Sequence, residues 1–274
     1  MTDKPLHERA AVRSEDHDRD LHRVHGRVRE IVEVSPELVR LVLQIPGLAD
    51  DPAWERPNVA IRLTVPGADV EVSRVYTVRA CDTAAGTIEV DVVRHGVSSP
   101  MMRLLDGVRL GDGIPLVGPR PHFVFPEARG RELALFLDAT AIPALYALLR
   151  QAPEGLHGRG WVATSDETAF AELPTVPGLA LERVEPGSGF ETQLRGFASA
   201  DVVVWGAGER DEMRAVRSHF RGTLGCAKDD VAVFGYWKRG TSNTDIDLAR
   251  LTAYEALLAD GGTVTEIDDL ALPI

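Results

Sequence analysis

The chain divides by the rhythm of its apolar positions. Between about residues 21 and 125, apolar and polar residues alternate in short runs: HGRVREIVEV, LVRLVLQI, VAIRLTV, VYTVRA, TIEVDVVR and GIPLVG. These runs are rich in Val, Ile and Thr and are separated by Gly, Pro or Asp. Short alternating strands with frequent turns predict an antiparallel sandwich or barrel. One segment there, PMMRLLDGV, has helical spacing. The polar stretch PEARGRE then reads as a linker. Beyond it, near-continuous apolar strands alternate with helical segments: ELALFLDA, PALYALLRQA, GRGWVATS, LALERVE, ETQLRGF, ADVVVWGAG, ERDEMRAVRSHFRG and DDVAVFGYW. That alternation predicts a parallel sheet covered on both faces. A last helix, TDIDLARLTAYEALLAD, follows, with Leu248, Leu251 and Leu258 expected on its apolar face. The expected fold is a two-domain α+β chain: an antiparallel sandwich or β-barrel over 21–125 and an α/β parallel-sheet domain over 131–274. The polar, charged residues 1–20 are expected to form a loosely attached tail.

Composition narrows the range of partners. The formal net charge of -12 disfavours nucleic acid and anionic membrane surfaces, both of which reward a basic face. No apolar run approaches the ~20 residues that span a bilayer, and the N-terminal stretch lacks the apolar region of a signal peptide. Two cysteines, Cys81 and Cys226, are too few and too far apart for a disulfide framework or a metal cluster. They are expected to be small buried residues in a cytoplasmic protein. His7, His17, His22 and His25 fall in the polar N-terminal stretch, where no fixed geometry for a metal is expected, so no metal site is assigned.

Five segments carry candidate chemistry. Arg74-Val75-Tyr76-Thr77-Val78-Arg79 lies on a predicted strand. Tyr76 offers a ring with a polar tip, and Arg74 and Arg79 offer forks suited to phosphate. An ordinary amphipathic strand explains the same residues. His95-Gly96 ends a strand, and Ser99-Pro100-Met101-Met102 has the form of a capped helix start, whose N–H groups attract phosphate. Asp138, Thr140 and Ala141 follow the first strand of the α/β domain, where ligands of open sheets bind. Gly206-Ala207-Gly208 ends another parallel strand, although a lone G-x-G is a weak signal. Tyr236-Trp237-Lys238-Arg239 ends the last strand and combines two aromatics with two cations.

Taken in order, these segments resemble the siderophore-interacting protein family, FAD-binding ferric-siderophore reductases related to ferredoxin-NADP reductases. The resemblance covers about residues 20–243. It rests on R-V-Y-T-V-R at 74–79, V-V-R-H-G at 92–96, G-P-R at 118–120 with Phe123, and G-Y-W-K-R-G at 235–240. The chain departs from the family's usual G-D-E-T-A, having Leu137 and Ala139 at the Gly and Glu positions. It has Met102 and Leu104 where Ser and Trp are usual, and His122 within its G-P-R-P-H-F loop.

The resemblance implies that the barrel holds FAD and that the second domain receives NADPH or NADH. The substrate would be a small ferric siderophore or another anionic ligand, with iron released as Fe(II). Arg74, Tyr76, Thr77, Arg79, His95, Met101 and Met102 are then the expected flavin contacts. Asp138, Thr140, Ala141, Gly206, Ala207 and Gly208 are expected at the nicotinamide side, and Tyr236 and Trp237 are expected to contact a cofactor. Lys238, Arg239 and Arg120 are expected at the substrate. No acid–base catalytic residue is required. Two other readings fit the same residues: a flavoenzyme of small-molecule biosynthesis, and a non-catalytic flavin or siderophore binder.

Overall fold

Period-two alternation in the first half becomes seven strands: β1 (His22–Ser35), β2 (Leu38–Gln44), β3 (Val59–Val65), β4 (Val72–Val78), β5 (Ala80–Asp82), β6 (Thr87–Val93) and β7 (Gly113–Pro121). The computed structural model describes residues 22–67, 72–94, 99–259 and Leu270. The expected tail at 1–20 and His95 lie outside the described residues. The strands run antiparallel in the order β4-β3-β7-β1-β2-β6-β5. β4 and β5 belong to one stretch of chain. It pairs with β3 as far as Val78 and with β6 from Ala80 onward, with the Arg79 N–H donating to the Glu89 carbonyl at the corner. The chain itself therefore joins the two edges of the sheet and curls it into a barrel. Leu41, Leu43, Ile61, Leu63, Ile88 and Leu116 fill the interior. Helix α1 (Pro100–Gly107) starts as its sequence predicts: Ser99 Oγ accepts from the Met102 N–H at 3.3 Å, Pro100 opens the first turn, and Met101 is buried in the barrel core.

The second half alternates strand and helix: β8 (Glu132–Asp138), α2 (Ile142–Arg150), β9 (Gly158–Ala163), α3 (Glu167–Ala171), β10 (Leu179–Val184), α4 (Glu191–Leu194), β11 (Val202–Glu209), α5 (Arg210–Arg217), β12 (Val231–Trp237) and α6 (Asn243–Ala259). The strands are parallel, in the order β10-β9-β8-β11-β12. Both faces are covered. Leu133, Leu135, Leu137, Val203 and Trp205 pack on one side, while Ala134, Phe136, Val202 and Val204 pack on the other. The chain lays β9 and β10 to one side of β8, then crosses back to add β11 and β12 on the other. The topological switch point thus falls at the carboxyl ends of β8 and β11, where open α/β sheets bind ligands.

Three details differ from the sequence reading. Helix α3 had no predicted counterpart, though Asp166 caps it by accepting from the Ala169 N–H at 2.9 Å. Helix α6 buries Ile246 and donates from Arg250 to the Gly235 carbonyl, while Leu248 points outward, 41% exposed. The side chain of Leu258 lies outside what is described. Cys226 is buried and Cys81 only half-buried. Among the described residues no helix is long and apolar enough to cross a membrane.

The two sheets are joined through ionic and polar contacts. Arg40 on β2 bridges Asp91 on β6 at 2.7 Å and Glu172 beyond α3 at 2.6 Å. Arg79 bridges Glu89 at 2.8 Å and Glu172 at 3.0 Å, and its guanidinium lies 3.4 Å from the centre of the Tyr146 ring on α2. Ser35 donates to Asp166, and Gln151 Nε2 donates to the Glu55 carbonyl at 2.9 Å. In such a network, removal of one partner costs far more than the intact network contributes, because it leaves a buried charge uncompensated.

Candidate functional site

β4 is a terminal strand of the barrel sheet, hydrogen-bonded to β3 on one side, so its other backbone edge can meet a ligand. That geometry lets Arg74, Tyr76 and Thr77 serve one ligand, although alternation puts Tyr76 and Thr77 on opposite faces. The Tyr76 ring packs against the barrel core, and burial holds its hydroxyl well above the ordinary phenol range. Arg74 donates to the Ser73 carbonyl at 2.8 Å and to Thr244 Oγ1 on α6 at 3.0 Å. Both acceptors are uncharged, so the Arg74 cation remains available to neutralise an anion.

Arg79 is different and corrects the sequence expectation. It sits at the corner where the chain turns from β3 to β6, and it is 6% exposed. Its three guanidinium nitrogens meet the carboxylates of Glu89, Asp91 and Glu172. Its charge is engaged by three carboxylates at the domain junction. For Met101 and Met102 the expected contacts are their backbone N–H groups, and of these the Met102 N–H has a partner within the protein, Ser99. Met101 is a core side chain.

Register places a substrate candidate beside the flavin candidates. Ala60 on β3 pairs with Thr77 on one side and with Arg120 on the other. Thr77, Ala60 and Arg120 therefore form one cross-strand row on one face. Two strand spacings put Thr77 and Arg120 about 10 Å apart at the backbone.

The switch point gathers most of the nicotinamide-side candidates. Asp138 ends β8 with its carboxyl buried. Its Oδ1 accepts from the Thr140 N–H at 2.9 Å and from Thr140 Oγ1 at 2.5 Å, and its Oδ2 accepts from Trp237 Nε1 at 2.7 Å. Burial nevertheless outweighs these bonds and pushes the Asp138 carboxyl above the usual carboxylate range. Gly208 is the glycine that makes this possible, because a Cβ there would lie 2.7 Å from the Asp138 carboxyl carbon. At Gly206 a Cβ would meet the Phe136 carbonyl oxygen at 2.8 Å. Gly206, Ala207 and Ala141 are buried within the domain, where strand and helix packing engages them.

Glu209 was missed by sequence reasoning. Its Oε2 accepts from the N–H groups of Asp211 and Glu212 at 2.7 and 3.1 Å, capping α5, and its Oε1 accepts from the Arg239 N–H at 3.1 Å. An acid directly before a predicted helix was the available signal. Lys238 Nζ lies 3.4 Å from Asp211, and Arg239, 68% exposed, approaches Glu212 at 3.9 Å. Tyr236 packs against the α/β core with its hydroxyl enclosed, and burial raises that hydroxyl's pKa.

The barrel and α/β halves of the site meet at the end of β7. There the Phe123 ring stacks on Phe234 of β12 at 4.2 Å, and His122 stands edge-on to Phe123, Phe234 and Tyr236.

Comparison with known proteins agrees with this geometry. A family model described as siderophore-interacting protein matches residues 130–240, and one described as siderophore-interacting FAD-binding domain matches residues 55–123. The chain is 32% identical over 272 residues to the ferric acinetobactin reductase of Acinetobacter baumannii, covering 95% of this chain and 94% of that protein. The solved structure of a siderophore-interacting protein from Acinetobacter baumannii superposes with a TM-score of 0.82 at 30% identity, covering 88% of this chain and 99% of that one. A ferredoxin NADP+ reductase from Neisseria gonorrhoeae with bound FAD and NADP shares the fold, with a TM-score of 0.61 at 13% identity over 79% of this chain and 99% of that one.

Proposed function

The chain belongs to the siderophore-interacting protein family, and on that premise we propose that it is an FAD-dependent reductase that moves electrons from NADH or NADPH to a ferric siderophore. One NAD(P)H yields two electrons, which reduce two ferric chelates and leave NAD(P)+ and a proton. Iron(II) is held more weakly by hard oxygen donors than iron(III), so the metal is released. Bound FAD supplies the conversion from a two-electron donor to one-electron delivery.

The observation that carries this reading is the pairing of Arg74 with Tyr76 on an edge strand. Among the described residues the hydrogen-bond partners of Arg74 are uncharged, and Tyr76 adds an aromatic surface two residues along. These groups suit a pyrophosphate and a flavin ring respectively. Thr77 has the hydroxyl for the ring's polar edge. Asp138, Thr140 and Trp237 would border the nicotinamide at the switch point. Arg120, in the row with Thr77, would hold the anionic chelate near the flavin, with Lys238 and Arg239 drawing it toward an otherwise acidic protein. We read the first sheet as the flavin domain, 21–125, and the second as the nicotinamide domain, 131–274. The working place we assign is the cytoplasm, which supplies NAD(P)H and keeps the unpaired Cys81 and Cys226 reduced.

The test is anaerobic. The purified chain, loaded with FAD, is mixed with NADH or NADPH, and flavin absorbance is followed. A ferric siderophore is then added with a ferrous-specific chromophore. Bleaching by the nicotinamide, then recovery of flavin colour with ferrous iron formed, is the expected result. A chain that takes up no FAD, or whose reduced flavin leaves ferric chelates untouched, would overturn the assignment.

A further inference from the structure

We infer that Glu172 is a positioning residue for flavin reduction: it clamps the α/β domain to the barrel and so sets the spacing across which a nicotinamide reduces the flavin. The role rests on the reductase reading of the site. Glu172 directly follows α3, a helix of five residues. So short a helix does not hold its form alone in water. Both its ends are held, and at each end the holding residue is itself bound to the barrel. At the start, Asp166 accepts from the Ala169 N–H at 2.9 Å and also takes the Ser35 hydroxyl from the end of β1. Beside it, Ser165 Oγ donates to Glu37 at 2.8 Å. At the finish, the Glu172 N–H donates to the Thr168 carbonyl at 3.2 Å, and its side chain crosses to the barrel.

The barrel takes both carboxylate oxygens of Glu172. Oε1 accepts from Arg40 at 3.3 Å, and Oε2 accepts from Arg40 at 2.6 Å and from Arg79 at 3.0 Å. The two cations are themselves fixed. Arg40 forks onto Asp91 at 2.7 and 3.1 Å. Arg79 binds Glu89 at 2.8 Å and lies over the Tyr146 ring of α2. The Arg40 and Arg79 side chains are only 11% and 6% exposed, so dissolved salt screens these contacts little.

The clamp sits where the two halves of the site must agree. Arg79 follows β4, two residues beyond Thr77, and α2 follows the turn at Asp138–Ala141. Hydride transfer needs reacting atoms about 3–3.5 Å apart, and a misplacement of about 1 Å can cost about 100-fold in rate. With the flavin on one domain and the nicotinamide on the other, neither domain fixes that distance alone. The Phe123–Phe234 stack also joins the domains, but apolar faces slide. Two guanidinium groups on one carboxylate fix both distance and direction.

Full-length, FAD-loaded wild type, Glu172→Gln and Glu172→Asp are mixed anaerobically with rising NADH or NADPH in stopped-flow absorbance. Asp230→Asn, which breaks the ion pair with Arg131 inside the α/β domain, serves as a control for stability alone. Small-angle X-ray scattering of each protein reports the domain arrangement without turnover. In Glu172→Gln we expect normal FAD content, a limiting rate of flavin reduction lowered about 10- to 100-fold, and an unchanged half-saturating nicotinamide concentration. Its distance distribution should broaden. Glu172→Asp should recover most of the rate, and Asp230→Asn should keep it while unfolding at lower urea. A Glu172→Gln rate within about 2-fold of wild type, or an equal loss in Asp230→Asn, overturns the inference. If neither nicotinamide reduces the wild-type flavin, the reductase reading falls and scattering decides the clamp: a broadened Glu172→Gln keeps it, and a wild-type curve overturns it.

Discussion

The indole N–H of Trp237 donates to the buried Asp138 carboxylate at 2.7 Å, tying the end of β12 to the end of β8 across the intervening β11. The bond spans the switch point, so it sets the shape of the proposed nicotinamide side. Trp237→Phe keeps an aromatic ring and removes the donor. A buried carboxylate that loses one of its donors costs about 1–3 kcal/mol. We expect a lower urea midpoint by that amount, unchanged FAD content, and slower flavin reduction by NAD(P)H in stopped-flow absorbance.

Gly208→Ala attacks the same point from the backbone. The new Cβ would sit 2.7 Å from the Asp138 carboxyl carbon, at a residue whose φ of 156° lies at the margin of what side-chain-bearing residues adopt. Either Asp138 moves, breaking its bonds to Thr140 and Trp237, or β11 shifts. The expected phenotype is a protein that still binds FAD at the barrel but is reduced by NAD(P)H at a small fraction of the wild-type rate. Flavin reduction by a chemical reductant should be unaffected.

Arg74 and Arg79, five residues apart, should separate cleanly. Arg74 has uncharged partners, whereas Arg79 faces the carboxylates of Glu89, Asp91 and Glu172. A charge-assisted hydrogen bond to phosphate is worth about 1.5–3 kcal/mol, so Arg74→Ala should weaken FAD binding by about 10- to 100-fold with little change in unfolding. Arg79→Ala should leave Glu89, Asp91 and Glu172 with Arg40 as their one shared cation and cost about 1–3 kcal/mol of stability. FAD affinity of its folded fraction should stay near wild type. Fluorescence titration of the apoprotein and urea unfolding distinguish the two.

The legible parts of this chain were those with local signatures. The barrel strands announced themselves by alternation, and the α/β strands by unbroken apolar runs such as Leu133–Leu137. The cap of α1 at Ser99 was written in four residues. What the sequence concealed depends on partners far along the chain. Arg79 looked like a phosphate ligand because its neighbour in sequence is the flavin motif, but its partner Glu172 is 93 residues away. Gly206 and Gly208 suggested only room for a nucleotide, and the sequence did not show that the same positions lie against the Phe136 backbone and the Asp138 carboxyl. Leu248 matched an apolar helix stripe, yet α6 docks through Ile246 and Arg250 instead.

His122 gives the molecule a pH dependence of definite sign. In the fold its pKa falls to about 4, through burial first and Arg120 second. In the unfolded chain it returns to about 6.5. Between these values the unfolded state binds the proton and the folded state does not, so stability is complete above about pH 6.5 and declines as the pH falls toward 4. The contribution lost by pH 5 is roughly 2 kcal/mol. His122→Phe keeps an aromatic ring against Phe234 and Tyr236 and removes the titration. Urea unfolding of both proteins at pH 7.5, about 6 and about 5 should show the wild type losing stability relative to the variant by that amount. Parallel acid limbs for the two proteins would mean that His122 is as protonated in the fold as in the unfolded chain, and that the aromatic contact at the end of β7 carries a charge.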